Sequence, residues 1–333
     1  MDLITQGLVG ATLAQTAARR VELGMATAVG LTAGLLPDAD ILIRSSGDSL
    51  LNLEYHRHFT HSLVFIPLGA LVAALLAWPF VRQRLRFSRL YLYALLGYSL
   101  SGLLDASTSY GTYLFWPFSD ARVAWNIISI VDPVFTLLLL LAVLLGLRRR
   151  TAVPARIGLS LAAAYLMLGW HQHERAELAA RELAQERGHS VQRMVVKPTL
   201  GNLILWRSVY LSDDRFHVDA LRLSLGGTHR VYPGGSLPRL QPQWDTGLPE
   251  GSQLQLDVLR FDKFSDGYLV EHPRHPEVLG DIRYAMLPDS LEPLWGIRLN
   301  LKRPEQHARY ETFRDTSRKS RQRFVSLLMG KAE

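Results

Sequence analysis

Charged residues are distributed very unevenly along this chain of 333 residues, and that split limits the possible folds more than any other feature. Residues 1–171 contain 13 Arg, no Lys and 9 acidic residues, whereas residues 172–333 contain 24 Lys and Arg and 21 acidic residues. The first part is therefore suited to an apolar medium and the second to water. The sequence predicts a membrane-embedded helical domain over 1–171 and a soluble extramembrane domain over 172–333.

Six apolar segments predict a polytopic helical membrane domain. They lie at about residues 3–18, 23–37, 62–81, 90–106, 131–147 and 157–171. Only the segment at about 62–81 approaches the ~20 residues that a helix needs to cross a bilayer. Because the others are shorter, the alternative is a water-soluble helical domain. If every segment crosses, ten loop arginines fall on one side and three on the other. The positive-inside rule places the ten in the cytoplasm. This predicts a multi-pass membrane protein, with residues 172–333 on the periplasmic side.

The second domain is predicted to be smaller and mainly β. A charged helical pattern is followed by apolar or alternating segments rich in β-branched and aromatic residues, with glycine-containing turns between them. The predicted strands are residues 192–197, 203–210, 215–223, 254–261, 278–284 and 294–301. A basic helix is predicted over about 305–329. The expected fold is thus about six membrane helices followed by an α+β domain with a C-terminal helix.

Composition excludes several kinds of site and partner. The chain has no cysteine, so a transition-metal site has to use histidine and carboxylate ligands. The net charge of +7 is shared by both halves and comes from loop arginines and a basic tail. This pattern does not predict a nucleic-acid partner. The predicted partner is the lipid bilayer.

Three histidines occur within six residues at the start of an apolar segment, in the sequence YHRHFTHSLVF over residues 55–65. Their spacing does not place them on one face of a helix, so we expect a loop that turns into a helix. In that geometry His56 and His61 converge while His58 points away. The alternative is that these histidines hydrogen-bond only to backbone or lipid headgroups.

Carboxylates occupy matching positions at the ends of other apolar segments. Asp38 and Asp40 end one segment, Asp105 ends another, and Asp132 begins a third. With six crossings, all four fall on the same side as the histidines, which favours a metal site at the membrane surface. The alternatives are that Asp38 and Asp40 satisfy loop amides, that neighbouring hydroxyls satisfy Asp105, and that Asp132 caps a helix.

Two further polar residues are candidates for binding the substrate. Arg122 is a candidate anion contact, and Asn126 is a candidate for orienting a ligand. The alternative for Arg122 is an interfacial arginine that extends its charged end to water.

With these residues the chain resembles the long form, with a C-terminal extension, of the YdjM-type family of LexA-regulated inner-membrane proteins described as metal-dependent hydrolases. The resemblance rests on residues 1–6, 36–40, 56–62, 103–106, 109–112, 116–119, 122–126 and 131–133, and in the second half on 202–207, 280–284 and 295–297. Members of that family commonly carry a histidine where this chain has Ser101, and shorter members often have one in place of Gln6. The resemblance implies metal-dependent hydrolysis and a location in the bacterial inner membrane, with the site and the C-terminal domain on the periplasmic side.

We therefore expect His56, His61, Asp40 and Asp105 to bind a divalent metal ion, which would be Zn, Mn or Fe. Asp38 and Asp132 are the predicted catalytic residues, and Arg122 and Asn126 the predicted substrate-binding residues. Because the site would lie at headgroup level, the expected substrate is an ester or phosphoester of a lipid or lipid-linked molecule. The alternative is a membrane scaffold or envelope-stress protein with a structural or vestigial metal site, which Ser101 favours. The hypothesis of a metal transporter is less favoured, because the candidate ligands cluster at helix ends.

Overall fold

A computed structural model of the chain describes residues 1–224, 228–242 and 247–331. The chain forms two compact units. The first comprises residues 1–42, 55–171 and 200–202, and the second comprises residues 43–54, 172–199 and 203–333. Residues 43–54, which the sequence places in the first domain, thus group with the second unit.

The part of the chain before residue 190 is mainly helical, with an irregular segment over residues 108–132. Its helices are α1 (Leu3–Thr16), α2 (Leu23–Leu35), α3 (Leu51–Tyr55), α4 (Ile66–Val81), α5 (Phe87–Ser99), α6 (Ser101–Ser107), α7 (Pro133–Arg149) and α8 (Val153–Glu186). Short 3₁₀ helices lie at Leu36–Leu42, Phe59–His61 and Leu63–Phe65. The first of these continues directly from α2, and the last leads directly into α4.

Three helical stretches among the described residues are long and apolar enough to cross a membrane: Leu23–Leu42, Leu63–Val81 and Val153–Glu186. Helices α1, α5 and α7 have 14, 13 and 17 residues. At 1.5 Å per residue they measure about 20–26 Å, which is less than the ~30 Å hydrocarbon core of a bilayer. The structure therefore supports a helical membrane part with three candidate spans, and six crossings remain a prediction.

Apolar side chains on the outside of these helices indicate contact with lipid. Leu76 and Phe80 of α4 are 61% and 87% exposed, and Leu137 and Leu141 of α7 are 54% and 56% exposed. A helix of a water-soluble protein normally turns such residues toward a core.

Glycines let three helices pack with their backbones almost in contact. A Cβ at Gly10 of α1 would lie 2.8 Å from the carbonyl oxygen of Gly97 in α5, and a Cβ at Gly34 of α2 would lie 2.8 Å from that of Gln6 in α1. Small residues at such crossings are typical of membrane helices. The close packing sets the relative positions of the segments that follow α2 and α5, where the candidate ligands lie.

The second unit contains two antiparallel sheets. The first has the order β1 (Arg193–Pro198), β2 (Leu205–Ser212), β3 (Arg215–Leu223) and β4 (His229–Pro238). The second has the order β5 (Leu269–His272), β6 (His275–Asp281), β7 (Trp295–Arg298) and β8 (Arg309–Thr312). Helices α9 (Gln253–Phe264) and α10 (Arg318–Met329) complete the unit. The expected mainly β domain is confirmed.

The predicted strand over 254–261 is wrong, because this segment forms helix α9. The side chain of Ser252 caps the helix by accepting a hydrogen bond from the backbone N–H of Gln255. Leu254, Val258 and Phe261 are buried, and their spacing of four and three residues is that of one helix face. The predicted basic tail helix is correspondingly shorter, since α10 begins at Arg318 and Arg309–Thr312 is strand β8.

Candidate metal centre

Three segments of the first unit bring Asp38, His61 and Asp105 together. Asp38 lies in the 3₁₀ helix after α2, His61 ends the 3₁₀ helix Phe59–His61, and Asp105 lies in α6. One ligand atom from each residue lies within 4.8 Å of the others. His61 Nε2 is 3.0 Å from Asp105 Oδ2 and 3.5 Å from Asp38 Oδ1. In a tetrahedral site with bonds of about 2.1 Å, ligand atoms are about 3.4 Å apart, so these separations suit a metal ion.

Each residue of this group has a buried candidate ligand atom without a hydrogen-bond partner within the described part of the chain. These atoms are Asp38 Oδ2, His61 Nε2 and Asp105 Oδ2. The three residues are 7%, 1% and 0% exposed. Buried polar atoms are normally paired, since an unpaired one costs free energy. A cation held between them would satisfy all three, so the residues present fit a divalent metal.

The position of His61 depends on a glycine in α6. A Cβ at Gly102 would lie 2.0 Å from the carbonyl oxygen of His61, so no other residue lets α6 approach the 3₁₀ helix this closely. The hydroxyl of Tyr98 donates a hydrogen bond of 2.7 Å to the carbonyl oxygen of Thr60 and fixes the same turn. Gly102 and Tyr98 thus hold His61 against Asp105.

Asp40 and His56 form a second layer beside this group. Asp40 Oδ1 is 2.8 Å from His56 Nδ1. Its Oδ2 accepts hydrogen bonds from the backbone N–H of Arg57 at 2.7 Å and from the hydroxyl of Thr60 at 2.9 Å. The Thr60 oxygen is also 3.0 Å from His61 Nδ1. Because this hydroxyl donates to Asp40, it accepts from Nδ1–H of a neutral His61, which leaves Nε2 as the nitrogen for a metal.

The site favours positive charge at His61. Burial opposes that charge, but the carboxylates of Asp105, Asp38 and Asp40, which lie 3.0–3.5 Å from the imidazole nitrogens, outweigh it and raise the pKa of the His61 imidazole. The amino group of Met1 also contacts Asp105. A proton or a metal ion at this point is therefore stabilised by the surrounding carboxylates.

Arg57 belongs to the site, although the sequence analysis counts it only as a loop charge. It is 5% exposed, and its Nη1 lies 3.3 Å from Asp105 Oδ1. Its backbone has a φ of 60°, a left-handed conformation that is uncommon outside glycine and recurs at functional sites. A signal was present in the sequence, because Arg57 stands between His56 and His58 in the motif.

An open groove of about 700 Å³ lies beside these residues. Arg57, His56 and Asp38 contribute to its lining, together with Met1, Asp2, Leu3, Thr32, Leu35, Leu36, Ala39, Ile41 and Leu42. We call it the Arg57 groove. One part of its lining is charged or polar, and the rest is largely apolar; all of it belongs to the first unit.

Other predicted site residues lie outside the group of Asp38, His61 and Asp105. Asp132 caps α7 by accepting hydrogen bonds of 3.1 Å from the backbone N–H groups of Val134 and Phe135. The guanidinium of Arg122 stacks on the rings of two tyrosines, 4.8 and 5.5 Å from their centroids. Asn126 has a φ of 56° and donates to the carbonyl oxygen of Ala124 at 3.1 Å, which is a turn contact.

His58 has different surroundings from Ser101 and Gln6, the two positions where the family resemblance implies histidine. The ring of His58 packs among aromatic rings, with the Tyr113 and Trp116 centroids 4.6 and 5.8 Å away. Ser101 is buried in α6, one helical turn before Asp105. Gln6 is also buried, and neither polar atom of its side-chain amide has a hydrogen-bond partner among the described residues.

A second group in the described chain, Asp48, Asp257 and His307 of the second unit, also has metal-ligand composition. Here, however, Arg260 already binds Asp48 and Asp257 at 2.9 Å each. His307 Nδ1 lies 3.0 Å from Asp257, which also accepts from the backbone N–H of Ala308. These contacts explain the cluster as an ion-pair network.

Comparisons with known proteins agree with the membrane character of the first unit. The family described as YdjM inner membrane protein matches residues 1–176. Inner membrane protein YbcI of Escherichia coli (strain K12) is 33% identical over 105 residues, which are 30% of this chain and 60% of that protein. Uncharacterized protein YfhP of Bacillus subtilis (strain 168) is 30% identical over 97 residues, which are 29% of each chain.

The chain thus matches less than two thirds of the length of either relative. No solved structure matches it. The family match covers more than half of the chain and includes every residue of the candidate metal centre. The chain therefore belongs to the YdjM inner membrane protein family.

Proposed function

We propose that this protein is a membrane-bound metal-dependent hydrolase that acts on an ester or phosphoester of a lipid or lipid-linked substrate at the membrane surface. The observation that carries the proposal is the convergence of three buried residues, Asp38, His61 and Asp105, whose ligand atoms lie within 4.8 Å of one another and each of which has a side-chain atom without a hydrogen-bond partner in the described structure. Purely structural ion pairs leave few such atoms, because each one costs free energy.

In this proposal Asp38, His61 and Asp105 hold the metal. A divalent metal there would supply a Lewis acid that polarises the substrate oxygen and makes water nucleophilic at neutral pH. Asp40 holds Nδ1 of His56, so Nε2 of His56 is available to accept or donate a proton next to the Arg57 groove. Asp132 would act from outside the group, as the cap that fixes the start of α7.

We propose further that the site faces the periplasm and that the chain crosses the membrane six times. The distribution of loop arginines, ten against three, supports this orientation. The exposed leucines of α7 support contact of that shorter helix with lipid as well.

The second candidate function is non-enzymatic, with the metal in a structural role. The observation that favours it is the buried Ser101, which stands one turn from Asp105 at a position where the family resemblance implies a histidine. A site with one ligand fewer binds metal more weakly or needs a further ligand.

The test uses the full chain purified in detergent and reconstituted in lipid nanodiscs. Metal content is measured by elemental analysis, and turnover is measured with lipid carboxylic esters and lipid phosphoesters as substrates. We expect near-stoichiometric Zn, Mn or Fe and metal-dependent turnover of one substrate class, both lost in His61→Ala. Asp120→Asn, which alters an exposed carboxylate of the same unit, is the matched control. Bound metal without turnover would favour the structural role, and retained turnover in His61→Ala would exclude the proposed mechanism.

A further inference from the structure

Arg57 has more hydrogen-bond donors than the surrounding protein uses. Its Nη2 donates to the carbonyl oxygen of Met1 at 3.2 Å, and its Nη1 lies 3.3 Å from Asp105 Oδ1 without hydrogen-bond geometry. Neither Nε nor Nη1 has an acceptor in the described structure. A guanidinium carries five N–H donors. At 5% exposure, water gives little compensation for the unused ones.

The unused donors belong to a residue that lines the Arg57 groove. The other wall of that groove includes apolar side chains that are far from buried: Leu3 is 58% exposed, Ile41 54% and Leu42 71%. A ligand that fills the groove therefore meets a cation at one part of its surface and hydrocarbon at another. This combination matches an amphiphile with an anionic head.

We propose that the Arg57 groove binds an amphiphile with a phosphate head, whose phosphate is held by Arg57 and whose apolar chain lies against Leu3, Ile41 and Leu42. Guanidinium suits phosphate because its planar N–H groups bind two oxygens at once. The same contact places the phosphate beside Asp38 and His56, which line the same groove. This inference rests on the proposed function, because it names the substrate class of that site.

Phosphate could reach Arg57 either as a lipid headgroup or as the free ion, and the two sources are separable. Native mass spectrometry of the detergent-purified full chain, loaded with Zn or Mn, measures binding of phosphatidic acid, diacylglycerol and inorganic phosphate. We expect phosphatidic acid to bind at least about tenfold more tightly than either of the others, since it alone uses both parts of the groove. Equal binding of diacylglycerol would overturn the role of Arg57, and equal binding of inorganic phosphate would overturn the role of the apolar wall.

Substitution of Arg57 tests the assignment directly. Arg57→Gln keeps a polar side chain of similar length and should weaken phosphatidic acid binding at least about tenfold. Arg84→Gln, which removes an exposed arginine of the same unit, is the matched control and should leave the affinity unchanged. Unchanged affinity in Arg57→Gln would overturn the proposal.

A second pair of variants keeps the test decisive if Arg57→Gln does not fold. Leu42 is exposed, so Leu42→Asp and Leu42→Asn are both expected to fold, and they differ by one charge. Leu42→Asp should weaken phosphatidic acid binding more than Leu42→Asn does, and equal affinities would contradict the proposal. Elemental analysis of each variant separates this result from loss of metal. Lipid binding without turnover would disprove hydrolysis while leaving the phosphate site in place.

Discussion

Replacing Gly102 by alanine should damage the metal centre without removing any ligand. The new Cβ would lie 2.0 Å from the carbonyl oxygen of His61, whereas real Cβ atoms essentially never come closer than 3.0 Å to another atom. Helix α6 and the 3₁₀ helix Phe59–His61 must therefore separate by at least about 1 Å. The 3.0 Å separation of His61 Nε2 and Asp105 Oδ2 then increases.

Metal sites tolerate far less than that displacement, because ligand distances vary by only about 0.2 Å. We expect Gly102→Ala to weaken metal affinity about 10-fold to 100-fold, as loss of a supporting contact around a ligand commonly does. Overpacking of this kind also lowers the free energy of unfolding by about 1–3 kcal/mol. Equilibrium dialysis with elemental analysis measures the first effect, and thermal unfolding in detergent measures the second.

The matched control is a glycine-to-alanine substitution at a position where the added methyl group meets no other atom. Gly24 of α2 has no atom within 4 Å of a built Cβ, so Gly24→Ala should leave metal affinity unchanged. It should leave the stability of the helix unchanged or slightly raised, since alanine loses less conformational freedom than glycine. If Gly102→Ala bound metal as tightly as the unaltered protein, the close approach of α6 would not set the site, and the reasoning would be refuted.

Three further outcomes follow from other contacts. Asp132→Ala should retain its metal content and lose about 1 kcal/mol of unfolding free energy, as an N-cap does; metal loss would return Asp132 to the site. The chain has no cysteine, so Asp120→Cys and Arg84→Cys each introduce a single reactive thiol. On intact cells a membrane-impermeant maleimide should label Asp120→Cys and should not label Arg84→Cys. The reverse pattern would place the site on the cytoplasmic side. Burial and the neighbouring His275 lower the pKa of His272. As the pH falls below about 6.5, the unfolded chain therefore binds a proton first and stability drops. His272→Phe should flatten that drop in melting temperature between pH 7.5 and 5.5, and an equally steep drop would contradict it.

The candidate site was predictable in composition but not in arrangement. The spacing of His56, His58 and His61 correctly indicated a loop entering a helix. The pair Asp38 and Asp40 gave no signal for which carboxylate lies beside Nε2 of His61 and which beside Nδ1. The answer depends on the 3₁₀ helix Leu36–Leu42, in which residues two apart point in different directions.

The errors in the second unit have similar local causes. In the segment that forms α9, several apolar residues alternate with polar ones, and this pattern is typical of a strand. The cap at Ser252 favours a helix instead. Strand β4 was missed because His229–Pro238 contains two glycines and two prolines, which predict a turn. In the structure this segment pairs along β3 with a register shift between Val218 and Asp219, which accommodates the irregular residues.

The charge balance of the site connects the metal proposal with the phosphate proposal. Asp38, Asp40 and Asp105 bring three carboxylates within 3.5 Å of His61, and Asp105 also lies 3.3 Å from the Arg57 guanidinium. An anion that enters the groove meets this negative charge unless it is neutralised. A divalent metal on Asp38 and Asp105 would reduce the repulsion and weaken the electrostatic attraction of Asp105 for the guanidinium, whose unused donors could then bind phosphate more tightly. Metal and phosphate amphiphile should therefore increase each other's affinity by the same factor, because such coupling is reciprocal. A phosphate amphiphile that lowers metal affinity would mean instead that Arg57 continues to serve Asp105, and that the two ligands compete for one charge.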